Sequence, residues 1–217
     1  YGCSHCKCFI RDKLKINNFL IINKGKSSAS MSGVIKDKST LNYKSEIDKN
    51  ILMNKNDYHI FKFGQVDIEY VYYYKTIIEK KKFDKIVFYE RIIEDYIKYL
   101  LNYINTGTKN ILVCGSNLSN STYNWCDNFK NNFKIEYLPK NISYNLVNMD
   151  IITFNNILMN HCKKNNIIYF DTIDECSVMN KNGFIHLKNE YIGLDNHYKG
   201  AETPSYYEIG LIKDKNY

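Results

Sequence analysis

Apolar residues gather along this chain in short runs, separated by longer amphipathic stretches. Four runs stand out: Phe19-Leu20-Ile21-Ile22, Tyr58-His59-Ile60-Phe61-Lys62-Phe63, Ile111-Leu112-Val113-Cys114 and Ile167-Ile168-Tyr169-Phe170. Each has strand length and is rich in β-branched or aromatic side chains, which suit a pleated, half-buried surface. Three of them end at Gly64, Cys114-Gly115 and Asp171, which read as turns at the carboxyl ends of strands. Between the runs, residues 41–53, 66–80, 86–104 and 143–163 carry helical spacing. It is clearest in 86–104, where Ile86, Ile93, Ile97, Leu100, Leu101 and Ile104 recur, with Glu90, Arg91, Glu94, Asp95 and Lys98 on the other side. Leu146, Met149, Ile152, Ile157 and Met159 carry the pattern in 143–163. A last helix is expected from Tyr206 to Ile212, with Pro204 near its first turn.

Strand alternating with helix predicts a parallel sheet covered on both faces. Counting a shortened strand before Gly2, the sheet has five strands, and right-handed crossovers make it a three-layer α/β/α sandwich. Ligands in such sheets sit beyond the carboxyl ends of the strands. That edge would hold Ser4, Gly64-Gln65-Val66-Asp67, Gly115-Ser116-Asn117 and the loop after Phe170. Residues 115–124 are polar and read as an irregular loop. The long stretch 171–200 predicts a hairpin from Ser177 to Leu187, turning at Asn182-Gly183.

Bulk composition narrows this picture without changing it. The 217 residues fit one α/β domain, taken as 1–217. Mean hydropathy is −0.44 and no apolar run suits a bilayer, so no membrane helix is expected. The first residue is not Met and the first strand is cut short, so a piece of a longer chain is expected, with upstream targeting left open. The formal charge is +7, but the lysines are spread, and Lys80-Lys81-Lys82 reads as a solvated helix end. Tyr72, Tyr73 and Tyr74 are able to stack on bases, yet they sit where a helix should pack on a sheet. Nucleic acid is therefore not the expected partner, while a basic surface would equally attract acidic glycans. Seven cysteines, an odd and scattered set, point to a reducing, cytoplasmic compartment rather than a disulfide scaffold.

The candidate chemistry lies at the two ends of the chain. Ser4 follows Gly2-Cys3, and Asp195-Asn196-His197 lies near the other terminus. A serine hydroxyl is a weak nucleophile until a base takes its proton. An imidazole with a pKa near 6.5 does this at neutral pH, and a carboxylate fixes its tautomer. His5 reads as a pocket neighbour of Ser4, His59 as a satisfied core or edge residue, and His161 as a helix-end surface residue. His186 has no evident carboxylate partner in the sequence.

In order, Gly2-Cys3-Ser4-His5, Gly64-Gln65-Val66-Asp67 and Asp195-Asn196-His197 resemble the blocks of the SGNH, or GDSL, hydrolases. Phe63 to Asp67, followed by Tyr73-Tyr74-Lys75, resembles more closely a branch of that superfamily with Gly-Asp-Ser-His, Gly-Glu-Val-Asp and Asp-His-His-Leu blocks. Ser28-Ala29-Ser30-Met31-Ser32-Gly33, with Ser39 after it, resembles that branch's second block. The resemblance covers nearly the whole chain and implies a flavodoxin-like fold, Ser4 as nucleophile, and His197 and Asp195 as its partners. It also implies an ester substrate, a small molecule or an O-acetylated glycan, with no cofactor. The resemblance would place Gly33, Gln65, Asp67, Asn117 and His5 around the oxyanion and substrate. Cys3 stands where the family has Asp, Val66 where it has a donor Asn, and the last pair is spaced Asp-x-His.

Other readings stay open at this level. Acyl transfer to a sugar hydroxyl uses the same residues. A degraded domain that binds glycan or a partner protein without turnover is favoured by Cys3 and Val66. Cys3, Cys6, Cys8 and His5 form a weak zinc signal, because no second Cys-x-x-Cys pair follows at finger spacing. Gly25-Lys26-Ser27-Ser28 resembles only the tail of a phosphate loop.

Overall fold

The computed structural model describes residues 1–3, 6, 13–16, 19–119, 125–139, 142–181 and 183–188. Ser4, His5, Asp195, His197 and the expected helix at Tyr206–Ile212 lie outside the described residues. The chain folds as a mixed α/β protein. Strands β1 (Lys13–Ile16) and β2 (Phe19–Ile22) are followed by a short helix α1 (Met31–Val34) and by α2 (Tyr43–Met53). Strand β3 (His59–Phe61) leads into wide π-helical turns at Asp67–Val71 and Tyr74–Ile78. Then come α3 (Lys85–Asn105), β4 (Ile111–Cys114), α4 (Trp125–Phe133), α5 (Tyr144–Lys164) and β5 (Ile168–Phe170). A single helical turn, α6 (Ile173–Cys176), precedes the strands β6 (Ser177–Met179) and β7 (Ile185–Leu187).

The central sheet runs β3-β4-β5, all parallel, with Phe61 opposite Val113 and Val113 opposite Tyr169. Gly2 makes a parallel bridge to Lys62, so the start of the chain lies along β3. This corrects the expected five-stranded parallel sheet. Phe19–Ile22 is a strand, but it pairs antiparallel with Lys13–Ile16 in a separate hairpin. The partner strand supplies the reason: Lys13-Leu14-Lys15-Ile16 alternates with period two, as a strand with one wet face does. The expected hairpin at Ser177–Leu187 is present, with Ser177 opposite Leu187 and Gly183 at positive φ of 78°.

Tyrosine builds much of the core. Helix α3 begins at Asp84, whose side chain accepts from the Val87 amide. It buries Tyr89, Ile92, Ile93, Tyr96, Ile97, Tyr99, Leu100 and Tyr103. Ile86, expected on this stripe, is exposed, and the tyrosine rings take the inward positions. Helix α5 buries Val147, Ile151, Phe154, Leu158 and Cys162, a face rotated from the expected one, so Met149 and Met159 are exposed. The two helices pack on each other, and Phe154 meets Tyr89 edge to face at 5.2 Å.

Of the aromatic run after Asp67, Tyr73 is buried and donates to Asp150 at 2.6 Å, while Lys85 pairs with the same carboxylate at 2.7 Å. This anchors the π-helical stretch to α5 and leaves the Tyr73 ring inside the core rather than on a nucleic-acid surface. Tyr96 is fully buried and its hydroxyl meets no partner among the described residues. A buried hydroxyl without a partner costs stability. Tyr96→Phe is therefore expected to raise unfolding stability by about 1 kcal/mol, measured by urea denaturation. A loss of more than that amount would show that the hydroxyl is satisfied.

Candidate active site at the carboxyl edge

The carboxyl edge of the sheet brings together four segments that are far apart in sequence: Gly2-Cys3, Ser30–Gly33, Gly64–Glu69 and Gly115–Ser119. The first is held by β3. The Cys3 amide donates to the Lys62 carbonyl at 3.3 Å, and Lys62 donates its own amide to the Tyr1 carbonyl at 2.8 Å. Ser4 is the next residue in the chain after this anchored pair.

Chain direction changes at Gly64, where φ is +113°. A Cβ there would lie 2.6 Å from the Phe154 ring, so both the backbone and the space require glycine. Two residues later, Val66 packs against the core. Asp67 is fully buried. One of its oxygens accepts from the Met31 amide at 2.5 Å, and the other accepts from the Ser32 amide at 3.0 Å. Burial pushes its pKa up, opposed by the hydrogen bonds from Ser32 and Met31. Asp67 therefore caps α1, a helix that begins 36 residues before it, while standing at the start of its own π-helical turn. It fixes the Ser30–Gly33 segment.

Gly33 was expected near the oxyanion. Its amide donates to the Ser30 hydroxyl at 2.9 Å, so that N–H is engaged in the helix cap. Gln65 is likewise committed at both ends of its amide. Its carbonyl accepts from the Asn117 backbone at 3.0 Å, and its NH2 donates to Glu69 at 2.6 Å.

Asn117 is buried and sits three residues past β4. Its side-chain oxygen accepts from Lys62 Nζ at 2.8 Å. The same ammonium donates to the Gly115 carbonyl at 2.6 Å and reaches Cys114 Sγ at 3.6 Å. Lys62 is itself buried, at 2% exposure.

Two asparagines on α5 clamp the loop after β4. Asn155 accepts from the Ser116 amide and donates to the Ser116 carbonyl, both at 2.8 Å, while Asn148 accepts from the Ser119 amide at 2.9 Å. The Ser119 hydroxyl donates to Glu69. Residues 115–119 are thus irregular, as expected, but pinned on three sides. Lys62, Glu69, Asn148 and Asn155 were not singled out from sequence. The available signals were a lysine between Phe61 and Phe63 just before a strand-end glycine, and asparagines seven apart on one helix face.

Burial raises the Glu69 pKa to about 7, against hydrogen bonds from Ser119 and Gln65 that lower it. A carboxyl whose folded pKa lies above its unfolded value of about 4.5 binds its proton more tightly in the native state. Its contribution to stability is therefore fullest below pH 4.5 and declines until pH 7. The total decline is roughly 3 kcal/mol. Glu69→Gln keeps an acceptor for Ser119 and Gln65 and removes the titration. Urea unfolding of the variant is expected to lack this component of the pH slope; an unchanged slope would assign it elsewhere.

The remaining histidines have structural partners. His59 is buried with Nε2 2.9 Å from the Asn54 carbonyl, and burial lowers its pKa. His161 pairs with Glu90 at 2.7 Å across α3 and α5, and His186 lies 2.6 Å from the Asn180 amide. Among the described residues, no group of three His, Cys, Asp or Glu side chains is placed to hold a metal ion. Cys8 and His5 of the zinc alternative lie outside them. No helix among the described residues is long and apolar enough to cross a membrane.

No protein-family profile matches the sequence, and no curated protein sequence matches it. Solved structures do match. A provisionally assigned acylhydrolase from Bacteroides fragilis superposes with a TM-score of 0.53 at 11% identity, over 89% of this chain and 74% of that one. A GDSL-like lipase from Bacteroides thetaiotaomicron gives 0.53 at 11% identity, over 90% of this chain and 76% of that one. The chain has the SGNH/GDSL hydrolase fold.

Proposed function

We propose that the protein is a serine ester hydrolase of the SGNH type, cleaving acyl esters through an acyl-enzyme on Ser4. One observation carries the reading. On a fold shared with an acylhydrolase and a GDSL-like lipase, the blocks flanking Ser4, Gly33 and Asp67 meet at one carboxyl edge, beside a rigid loop carrying Asn117. In this reading Ser4 attacks the ester carbonyl and His197 takes the hydroxyl proton. His197 then returns that proton to the leaving alcohol, and Asp195 holds the imidazole. Water repeats the sequence to release the acid. The oxyanion meets the Ser4 amide and one side-chain donor. Gln65 and Asn117 are the candidates for that donor, since Val66 is apolar.

An O-acetylated carbohydrate is the proposed substrate class, supported by the family resemblance. Acyl transfer to a sugar hydroxyl is the same chemistry with a different second acceptor. A flavodoxin-like, three-layer single domain in a reducing cytoplasm belongs to this reading. The free thiols of Cys126 and Cys162 are in keeping with it. A second reading, a glycan-binding domain without turnover, is favoured by the engaged amides of Gly33 and Gln65.

A fluorophosphonate probe separates the two readings. It is expected to label the wild-type chain on the peptide containing Ser4 and to leave Ser4→Ala unlabelled. Absence of labelling, together with no hydrolysis of an aryl acetate, would leave the binding module.

A further inference from the structure

We propose that the two β-hairpins, β1–β2 and β6–β7, dock the carboxyl edge of the sheet on a lipid surface carrying anionic headgroups. Docking is a property of side chains outside the catalytic blocks and holds whether or not Ser4 is a nucleophile. Its corollary rests on the esterase reading: the ester cleaved is one presented at such a surface.

Neither hairpin belongs to the parallel sheet, yet both are fastened to the edge where the candidate site lies. The chain leaving β2 lies on Gly2-Cys3. The Lys26 amide donates to the Gly2 carbonyl at 2.9 Å, and a Cβ on Gly25 would come within 2.9 Å of the Cys3 carbonyl oxygen. The Tyr43 hydroxyl holds the same segment by donating to the Lys24 carbonyl. Further along the edge, Asn148 joins β7 to the loop after β4. Its side-chain oxygen accepts from the Ser119 amide at 2.9 Å, and its NH2 donates to the Ile185 carbonyl at 3.4 Å.

Both hairpins hold apolar side chains out in water. Leu20 and Ile22, two apart and so on one face of β2, are 61% and 45% exposed. In register they stand opposite Lys15 and Lys13. Val178 and Met179 are 52% and 65% exposed, and Phe184, beside the turn, is 39% exposed. A single exposed Leu or Met needs no explanation. Five such residues, on two hairpins at one edge, mark an interaction surface.

The charge pattern selects the occupant. Residues 13–36 hold Lys13, Lys15, Lys24, Lys26 and Lys36, and residues 177–188 hold Lys181 and Lys188. Neither stretch has an Asp or Glu, in a chain with 23 acidic residues. Lys26 is paired with Glu46, while Lys24 and Lys181 are exposed. Apolar side chains that enter the acyl boundary, with lysines beside them at headgroup depth, make an interfacial anchor. Each lysine near an anionic leaflet adds to the attraction. A second copy of the chain would set these lysines against their own kind, so like charge opposes self-pairing through this face.

The full chain is mixed with vesicles of phosphatidylcholine, alone or with about one-third phosphatidylserine, and pelleted. It is expected to pellet with the anionic vesicles at about 0.1 M salt and to be released at about 0.5 M. Two variants, Leu20→Thr with Ile22→Thr and Val178→Thr with Met179→Thr, alter exposed positions and keep strand-forming side chains. Circular dichroism checks their folding, and each is expected to weaken vesicle binding by about tenfold. Wild type left in the supernatant with the anionic vesicles overturns the proposal. So does binding that neither variant weakens, which is charge attraction without docking. Sedimentation velocity tests the other occupant: a wild-type dimer that both variants dissociate assigns the face to a second copy and likewise overturns it.

A measurement on wild type alone decides the matter if the variants misfold. Amine acetylation, read by mass spectrometry, should be slowed by anionic vesicles at Lys24 and Lys181. It should be unchanged at Lys98 and Lys163, exposed in the later turns of α3 and α5. Equal protection at all four overturns the proposal. None of these readouts uses hydrolysis, so an inert Ser4 leaves a docking result standing, and failed docking leaves the esterase reading standing.

Discussion

Replacing Ser4 with Ala, His197 with Ala, or both together is expected to lower kcat for an aryl acetate by the same factor, roughly ten-thousand- to a million-fold. The equality matters more than the size. If the serine attacks only when the imidazole takes its proton, removing either residue stops the same step. The double variant then has nothing further to lose. Independent roles, such as a substrate-binding Ser4 and a separate structural His197, would multiply instead of coinciding. Asp195→Asn should fall short of these losses or equal them, because it acts through the imidazole. Steady-state kinetics on the four proteins, each checked for folding, measures all of this. Residual activity above the uncatalysed rate is expected in every variant, since the oxyanion donors remain in place. A double loss equal to the product of the single losses would dissolve the proposed constellation.

Much of the sheet was legible because the signals were local. Ile111–Cys114 and Ile168–Phe170 are short apolar runs ending at Gly115 and Asp171, and both pair in parallel as expected. Phe19–Ile22 carries the same local signal and yet belongs elsewhere. Four apolar residues do not reveal their partner. The alternation of Lys13-Leu14-Lys15-Ile16 did hold that information. Helix α4 was missed because Asp127, Asn128, Lys130, Asn131 and Asn132 mask the spacing of Cys126, Phe129 and Phe133. In α3 the expected isoleucine stripe is shared with tyrosines that the apolar spacing did not single out: Tyr89 and Tyr96 are fully buried there, as Tyr43 and Tyr73 nearly are elsewhere in the core.

The edge of the site was legible as blocks but not as a network. Gly64 and Gly115 mark strand ends in the sequence, and Asn117 follows from the second of them. The Gly33 amide and the Gln65 NH2 are engaged locally, by Ser30 and Glu69, but Asp67 meets Ser32 across 35 residues of chain and Asn117 meets Gln65 across 52. No spacing rule encodes that. The roles of Lys62 and Glu69 are still less visible. A charged residue in a strand or on a helix reads as a solvated face until the fold buries it.

Asp67→Ala is expected to cost about 3–5 kcal/mol of stability, the largest loss from any single truncation at the site's edge. The carboxylate is fully buried and holds the amides of both Met31 and Ser32. Helix α1 has only four residues, too short to form through its own hydrogen bonds. Its first amides are met by Asp67 and by the Ser30 hydroxyl, so truncation strands the Met31 and Ser32 donors and leaves only the Ser30 cap at that end. Met31 and Val34, both buried, then lose the geometry that seats them in the core. Asp67→Asn should cost less, about 2 kcal/mol, because one side-chain oxygen still accepts while the NH2 faces a backbone donor. The order Ala worse than Asn distinguishes a lost cap from a lost charge, since both substitutions neutralise the carboxylate equally. Urea unfolding at pH 7 reads the order directly. Equal costs would make the negative charge, and its attraction for a positive group of the fold, the feature that Asp67 supplies. A variant that stays folded extends the test to catalysis. Loosening Ser30–Gly33 should raise KM more than it lowers kcat if that segment shapes the pocket, and should leave both untouched if α1 is only scaffold.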